Sequence, residues 1–120
     1  MKRKDTGKTG ESLAQDFLRR KGYHILATNY RCRFGEIDIV TQERDTLVFV
    51  EVRSKTSLDF GSPEESITYT KMEHLKAAAN FYLQENKKSY HSWRIDVIAV
   101  ELGTDHELKR VTHLENAIED

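Results

Sequence analysis

The sequence predicts an α/β domain in which one mixed β-sheet is flanked by α-helices. Three observations predict it. Two segments carry apolar residues at helical spacing, Leu13-Ala14 with Phe17-Leu18 early and Met72, Leu75, Ala79, Tyr82 and Leu83 late. Three apolar runs between them are joined by short polar connections, which favours an antiparallel meander. The long second helix then stands between the third run and a fourth, as a crossover into a parallel strand does.

The elements follow in order. The first helix is expected from about Gly10 to Arg20, with Gly22 as its stop. Tyr23 to Tyr30 reads as the first strand, and Arg31-Cys32-Arg33-Phe34 links it to a second, Gly35 to Val40. Thr41 to Thr46 reads as a polar turn, and Thr46 to Arg53 as the third strand. A loop is expected over Ser54 to Gly61. Ser62-Pro63-Glu64-Glu65 has the pattern of a capped helix start, and Thr70-Lys71-Met72-Glu73 repeats it before the long helix to about Asn86. Ser92 to Leu102 alternates as a fourth strand. Leu108 to His113 pairs as a fifth, and Leu114 to Ile118 forms a terminal helical turn.

With 120 residues, the chain suits one domain spanning 1–120. Nineteen basic residues against twenty acidic ones give a net charge of −1, so a polyanion would need a local basic patch. Lys2-Arg3-Lys4 with Lys8 is the candidate patch, followed by Arg19, Arg20 and Lys21; a solvated terminus accounts for it equally well. Cys32 is the single cysteine, which excludes an intramolecular disulfide and a cysteine-paired zinc site. The five histidines are scattered. No apolar stretch follows the basic start, so neither a secretory signal nor a membrane span is expected, and a cytoplasmic protein is.

Two of the apolar runs each hold a carboxylate: Asp38 within Gly35-Glu36-Ile37-Asp38-Ile39-Val40, and Glu51 within Leu47-Val48-Phe49-Val50-Glu51-Val52-Arg53. A carboxylate inside an apolar strand is unfavourable unless a cation or hydrogen-bond donors meet it. Strand alternation places Glu36 and Asp38 on one face and Ile37 and Ile39 on the other. In the next strand it places Glu51, Arg53 and Lys55 with Leu47 and Phe49, away from Val48, Val50 and Val52. Converging acids beside a basic group can seat a hard cation and a phosphate. Glu11 lies at the end of the first helix's buried stripe and is a third candidate acid, or else an acid favoured by the helix dipole. The bland account of the strand acids is an ion pair, Asp38 with an arginine or Glu51 with Arg53 or Lys55. Lys71 can reach a phosphate from the helix start or stand exposed. Arg94 and Asp96 read as a structural pair.

Taken together these motifs resemble the YraN family of predicted bacterial endonucleases, which is similar to the archaeal Holliday-junction resolvases and to the PD-(D/E)xK, restriction-endonuclease-like group. The resemblance rests on Gly35-Glu36-Ile37-Asp38 and Phe49-Val50-Glu51-Val52-Arg53. Gly10-Glu11 with Ala14, Tyr23 to Arg31 with Asn29, and Lys71, Leu75 and Ala79 to Leu83 extend it. Arg94-Ile95-Asp96-Val97 and His113-Leu114-Glu115-Asn116-Ala117 carry it to the end of the chain. The resemblance implies a restriction-endonuclease-like mixed sheet and a Mg²⁺- or Mn²⁺-dependent nuclease acting on DNA, with branched or structured DNA as the substrate expected by analogy, as a homodimer. It implies Asp38 and Glu51 as metal ligands, Glu11 as their assisting acid, and Arg53 where the group has lysine. Arginine does not deprotonate in proteins, so it can clamp a phosphate but cannot act as a base; Lys55 on the same strand face is the alternative ammonium. A nucleic-acid-binding protein that keeps the fold without the chemistry, and a scaffold whose acids only pair with arginines, are the competing readings.

Overall fold

A computed structural model describes residues 3–56, 67–86 and 90–119, with side chains from residue 8 onward. The elements are α1 (Arg3–Arg20), β1 (His24–Cys32), β2 (Gly35–Glu43), β3 (Thr46–Thr56), α2 (Tyr69–Glu85), β4 (Ser92–Leu102) and β5 (Leu108–Leu114). One five-stranded sheet runs in the order β1-β2-β3-β4-β5. Its β3–β4 pairing is parallel and its other pairings are antiparallel. This is the mixed sheet between helices of the expected restriction-endonuclease-like α/β fold. No helix among the described residues is long and apolar enough to cross a membrane.

Each sheet face carries one helix. Ala14 and Leu18 of α1 pack with Ile39, Val48, Val50, Ile98, Val100 and Leu102. Leu75, Ala78, Ala79 and Tyr82 of α2 pack with Ile37, Val40, Leu47, Phe49, Ile95 and Val97. The alternation read from β3 therefore holds: Leu47 and Phe49 go to α2, and Val48, Val50 and Val52 go to α1. Full burial of one such aliphatic side chain stabilises by about 1.5–3 kcal/mol.

Several expected boundaries move. Helix α1 begins at Arg3 rather than Gly10. Strand β2 continues through Glu43, which shrinks the polar turn to Arg44-Asp45; Arg44 takes a positive φ of 53°, as a tight two-residue hairpin requires. Strand β3 runs through Lys55 to Thr56, so the expected loop begins later. The parallel partner β4 supplies the reason, pairing residue for residue from Thr46↔Ser92 to Thr56↔Leu102. Thr68, not Thr70, caps α2, its side chain accepting a bond from the Lys71 N–H. Leu114 closes β5, and a non-helical turn follows, anchored by buried Ile118, whose N–H reaches the Ile95 carbonyl. The Ser62–Glu65 helix start, Ser57 to Gly61 of the loop and the side chains of Arg3 and Lys4 in the terminal patch lie outside the described residues, as does Lys2.

One departure shapes the site. Alternation predicts Ile37 and Ile39 on the same face, yet Ile37 packs under α2 and Ile39 under α1. The strand twists over between them, at Asp38. Across on β1, Thr28 pairs with Ile39 and Tyr30 with Ile37, and Asn29 between them has φ 52°. Asparagine tolerates this left-handed conformation better than most residues. Both strands thus change face at one register position.

Candidate active site

Strand β2 pairs with β3 from Glu43↔Thr46 as far as Ile39↔Val50, and there the ladder ends. The next residue, Asp38, offers its side chain instead: Oδ2 accepts a 2.8 Å hydrogen bond from the Val52 N–H. The carboxylate takes the place of a ladder carbonyl where the β2–β3 pairing stops. The opening admits side chains from both sheet faces.

Glu51 enters it from β3 and is only 1% exposed. Its Oε2 lies 3.3 Å from Arg53 Nη1 and 3.9 Å from Lys71 Nζ on the first turn of α2. Its Oε1 is buried with no hydrogen-bond partner. Burial above all, then the charge of Asp38 and a hydrogen bond that a neutral Glu51 can give it, push the Glu51 carboxyl up to about 8; Lys71 and Arg53 pull the other way without prevailing. Glu11 comes in from α1. Burial first, then the charge of Asp38 and a hydrogen bond with it, raise its carboxyl to about 7. Asp38 thus stands between two acids, each held toward its neutral form first by burial and then by this shared neighbour.

Two glycines allow the helices to come this close. A Cβ on Gly10 would overlap Ser54 Oγ, so α1 can lie against the end of β3 and deliver Glu11 only with glycine there. Gly35 faces α2 for a different reason: its φ of 153° disfavours a side chain, and a Cβ there would meet His74 Cβ at a tight 3.2 Å. That approach fixes the start of α2 and with it Lys71.

Of the expected site residues, Glu11, Asp38, Glu51 and Arg53 come together. Lys55 lies on the same strand face as Glu51, but ~13 Å further along β3 by the usual rise, where it lines a separate cavity. Lys71, which the sequence leaves open, joins the acids. Its signal in the sequence was its place in the first turn of a helix following an acid-bearing strand, and only the packing of α2 decides its direction. The Val52 N–H leaves no sequence signal at all. Glu36 pairs with Arg31 at 3.6 Å and stays near enough to Glu11 for its charge to help raise that carboxyl.

The donor set suits a hard divalent cation. The buried, unpartnered Glu51 oxygen and two carboxyls held toward neutrality are what a charge-compensating ion would relieve. Among the described residues no group of three or more His, Cys, Asp or Glu is already arranged about one point. Magnesium is commonly held by one or two carboxylates, with waters and phosphate oxygens completing its shell.

The profile of the uncharacterised protein family UPF0102 matches residues 10–100, a span that contains every residue of this site. The chain belongs to that family. A UPF0102 protein of Caldicellulosiruptor saccharolyticus is 41% identical over 98% of this chain and 99% of its own length. Another, from Pelotomaculum thermopropionicum, is 44% identical over 96% of each. A third, from Thermodesulfovibrio yellowstonii, is 45% identical over 98% of each. The chain therefore spans nearly the full length of these UPF0102 relatives.

Proposed function

We propose that this UPF0102 chain is a divalent-metal-dependent endonuclease that hydrolyses phosphodiester bonds in DNA, with branched or structured DNA as the substrate suggested by resemblance to the resolvases. The observation that carries the reading is the buried Glu51 oxygen left without a partner beside Asp38, while Arg53 and Lys71 stand at the other oxygen. Asp38 and Glu51 are the residues that would hold Mg²⁺ or Mn²⁺, with Glu11 assisting. When bound, such an ion acts as a Lewis acid on the phosphoryl group.

The chain's own groups divide the remaining work. The Val52 N–H fixes one oxygen of Asp38 and so aims the other. Arg53 and Lys71 supply positive charge where negative charge grows on the phosphoryl oxygens. The planar Arg53 guanidinium serves as a clamp, whereas the Lys71 ammonium is a mobile point charge. Glu11, held toward its neutral form chiefly by burial, would hold a proton or hydrogen-bond a water beside Asp38.

The test is incubation with linear, flapped and four-way DNA in Mg²⁺ or Mn²⁺. Asp38→Asn and Glu51→Gln are expected to reduce cleavage to the level of a protein-free control while circular dichroism shows the fold intact. Unchanged cleavage by both purified variants rejects the assignment. The absence of a three-ligand cluster among the described residues favours one second reading, a DNA-binding protein of the same fold without hydrolysis. Retention of branched DNA by the unaltered chain with no cleavage in either metal selects it.

A further inference from the structure

The end of the sheet beyond the acids carries a second feature. Lys55 on β3, Glu101 on β4 and Arg110 on β5 are register partners and form one row across three strands. With Thr56, Leu102 and Lys109 they line an open cavity of about 330 Å³. Three of its walls are cationic and one is acidic, in a chain whose net charge is −1.

The cations are arranged rather than scattered. Arg110 Nε lies 3.3 Å from Glu101 Oε2 and 3.1 Å from Thr112 Oγ1, which fixes its guanidinium on the sheet. Lys109 Nζ is held 3.3 Å from Glu107. Lys55 has no ion pair among the described residues, so its ammonium is the group most available to an incoming anion. Strand alternation puts Lys55 on the same face as Glu51 and Arg53, at steps of ~6.6 Å. The acids and this cavity therefore lie along one track, ~13 Å apart. A DNA strand advances ~3.4 Å per nucleotide along the helix axis, so a backbone following that track would present a phosphate a few nucleotides from the bond at the acids.

We propose that the cavity walled by Lys55, Glu101, Lys109 and Arg110 is a phosphate-binding shelf, which grips the DNA backbone a few nucleotides from the scissile bond and sets its register over Asp38 and Glu51. The shelf rests on the nuclease reading, but it acts through affinity and so can be tested apart from chemistry. Phosphate contacts position a nucleic acid without reading its sequence. Glu101 tempers the shelf by occupying Arg110 and repelling the backbone.

The experiment measures binding of a fluorescent DNA duplex by the full chain in EDTA across a salt series. Lys55→Ala and Arg110→Ala are each expected to weaken binding alike across sequences and to reduce the slope of log affinity against log salt by about 1. Glu101→Gln is expected to tighten binding, an effect that damaged folding cannot imitate. Unchanged slopes in the alanine variants, or weaker binding by Glu101→Gln, overturn the shelf; if the unaltered chain still cleaves DNA in Mn²⁺, the nuclease reading survives that result. No retention of DNA by the unaltered chain at low salt overturns the shelf together with the reading beneath it.

Discussion

Asp96 and Glu51 lie one register step apart on neighbouring parallel strands, Asp96 opposite Val50 and Glu51 opposite Val97. Both are inside the protein, at 0% and 1% exposure. Their surroundings are opposite. Asp96 Oδ1 accepts from Arg94 Nε at 2.9 Å and from the Asn116 N–H at 2.8 Å. Its Oδ2 meets His113 Nε2 at 2.7 Å. Lys21 Nζ lies 2.8 Å from His113 Nδ1. An ammonium only donates, so Nδ1 accepts, and Nε2 carries the hydrogen given to Asp96. Arg94 in turn holds Tyr23, Glu43 and Glu115. The hydrogen bonds from His113, Arg94 and Asn116 outweigh burial and hold the Asp96 carboxyl below its ordinary value. Glu51, by contrast, has one oxygen without a partner, and burial with the charge of Asp38 raises it. Burial depth alone does not separate a structural acid from a candidate functional one; the donors around it do.

Exchanging each acid for its amide gives the largest separation. Asp96→Asn strips the charge from the buried partner of Arg94 and His113 and turns an acceptor into a donor facing donors. It is expected to destabilise by about 3–5 kcal/mol, the range for breaking a buried ion pair. Glu51→Gln removes a carboxyl that is already unfavourable where it sits, so urea denaturation in EDTA should show its stability unchanged or raised. Equal destabilisation by the two substitutions would break the contrast and make Glu51 another structural acid.

The pair should also divide the pH axis. The lowered Asp96 value gives stability that is present above the ordinary carboxylate range and lost as pH falls through the folded-state value, on the acid side of about 4. The raised Glu51 and Glu11 values act with the opposite sign. Between the ordinary value of 4.5 and about 8 for Glu51 or about 7 for Glu11, the folded chain binds more protons than the unfolded one. Metal-free stability should therefore decline as pH rises through that window. In denaturation curves collected from pH 3 to pH 9, roughly the span that these carboxyls titrate across, Glu51→Gln should flatten the neutral decline and leave the acid limb in place. An identical pH profile in the variant would sever the link between burial and the neutral slope.

Much of this contrast was legible in the sequence, for a physical reason. Regular strands alternate, so the faces of Leu47 to Val52 followed from spacing alone, and the helix stripes at Ala14, Leu18, Leu75, Ala79 and Tyr82 became core. The Arg94–Asp96 pairing was visible as two residues on one strand face. His113, Asn116 and Lys21 were not, because each arrives from a distant part of the chain and no spacing rule links it to Asp96. The same limit hid the centre of the candidate site. Alternation fails at Asp38 because its carboxylate captures the Val52 N–H and because Asn29 adopts a left-handed conformation opposite it. Both are long-range pairings that no local pattern announces. Lys71 belongs to the same class, since its direction depends on how closely α2 approaches Gly35.

The smallest expected effect bears on what an orphaned oxygen means. Thr41 Oγ1 is the other buried side-chain oxygen without a partner among the described residues. It sits between Ile25 and Val48 in the sheet register, on the apolar face under α1, with no acid or cation on either neighbouring strand at that step. Valine has nearly the shape of threonine without the hydroxyl. Thr41→Val should therefore stabilise the chain by roughly 1 kcal/mol, the low end of the cost of an unmade buried hydrogen bond, with no change in any activity. A loss of stability instead would mean that the hydroxyl finds a partner in solution, such as a buried water. The Glu51 oxygen would then need the same scrutiny before its lack of a partner could mark a cation site. A gain would show that the sheet tolerates a lone buried hydroxyl as ordinary imperfection. The distinguishing mark of Glu51 would then be the charge and the neighbouring acids that accompany its unpartnered oxygen.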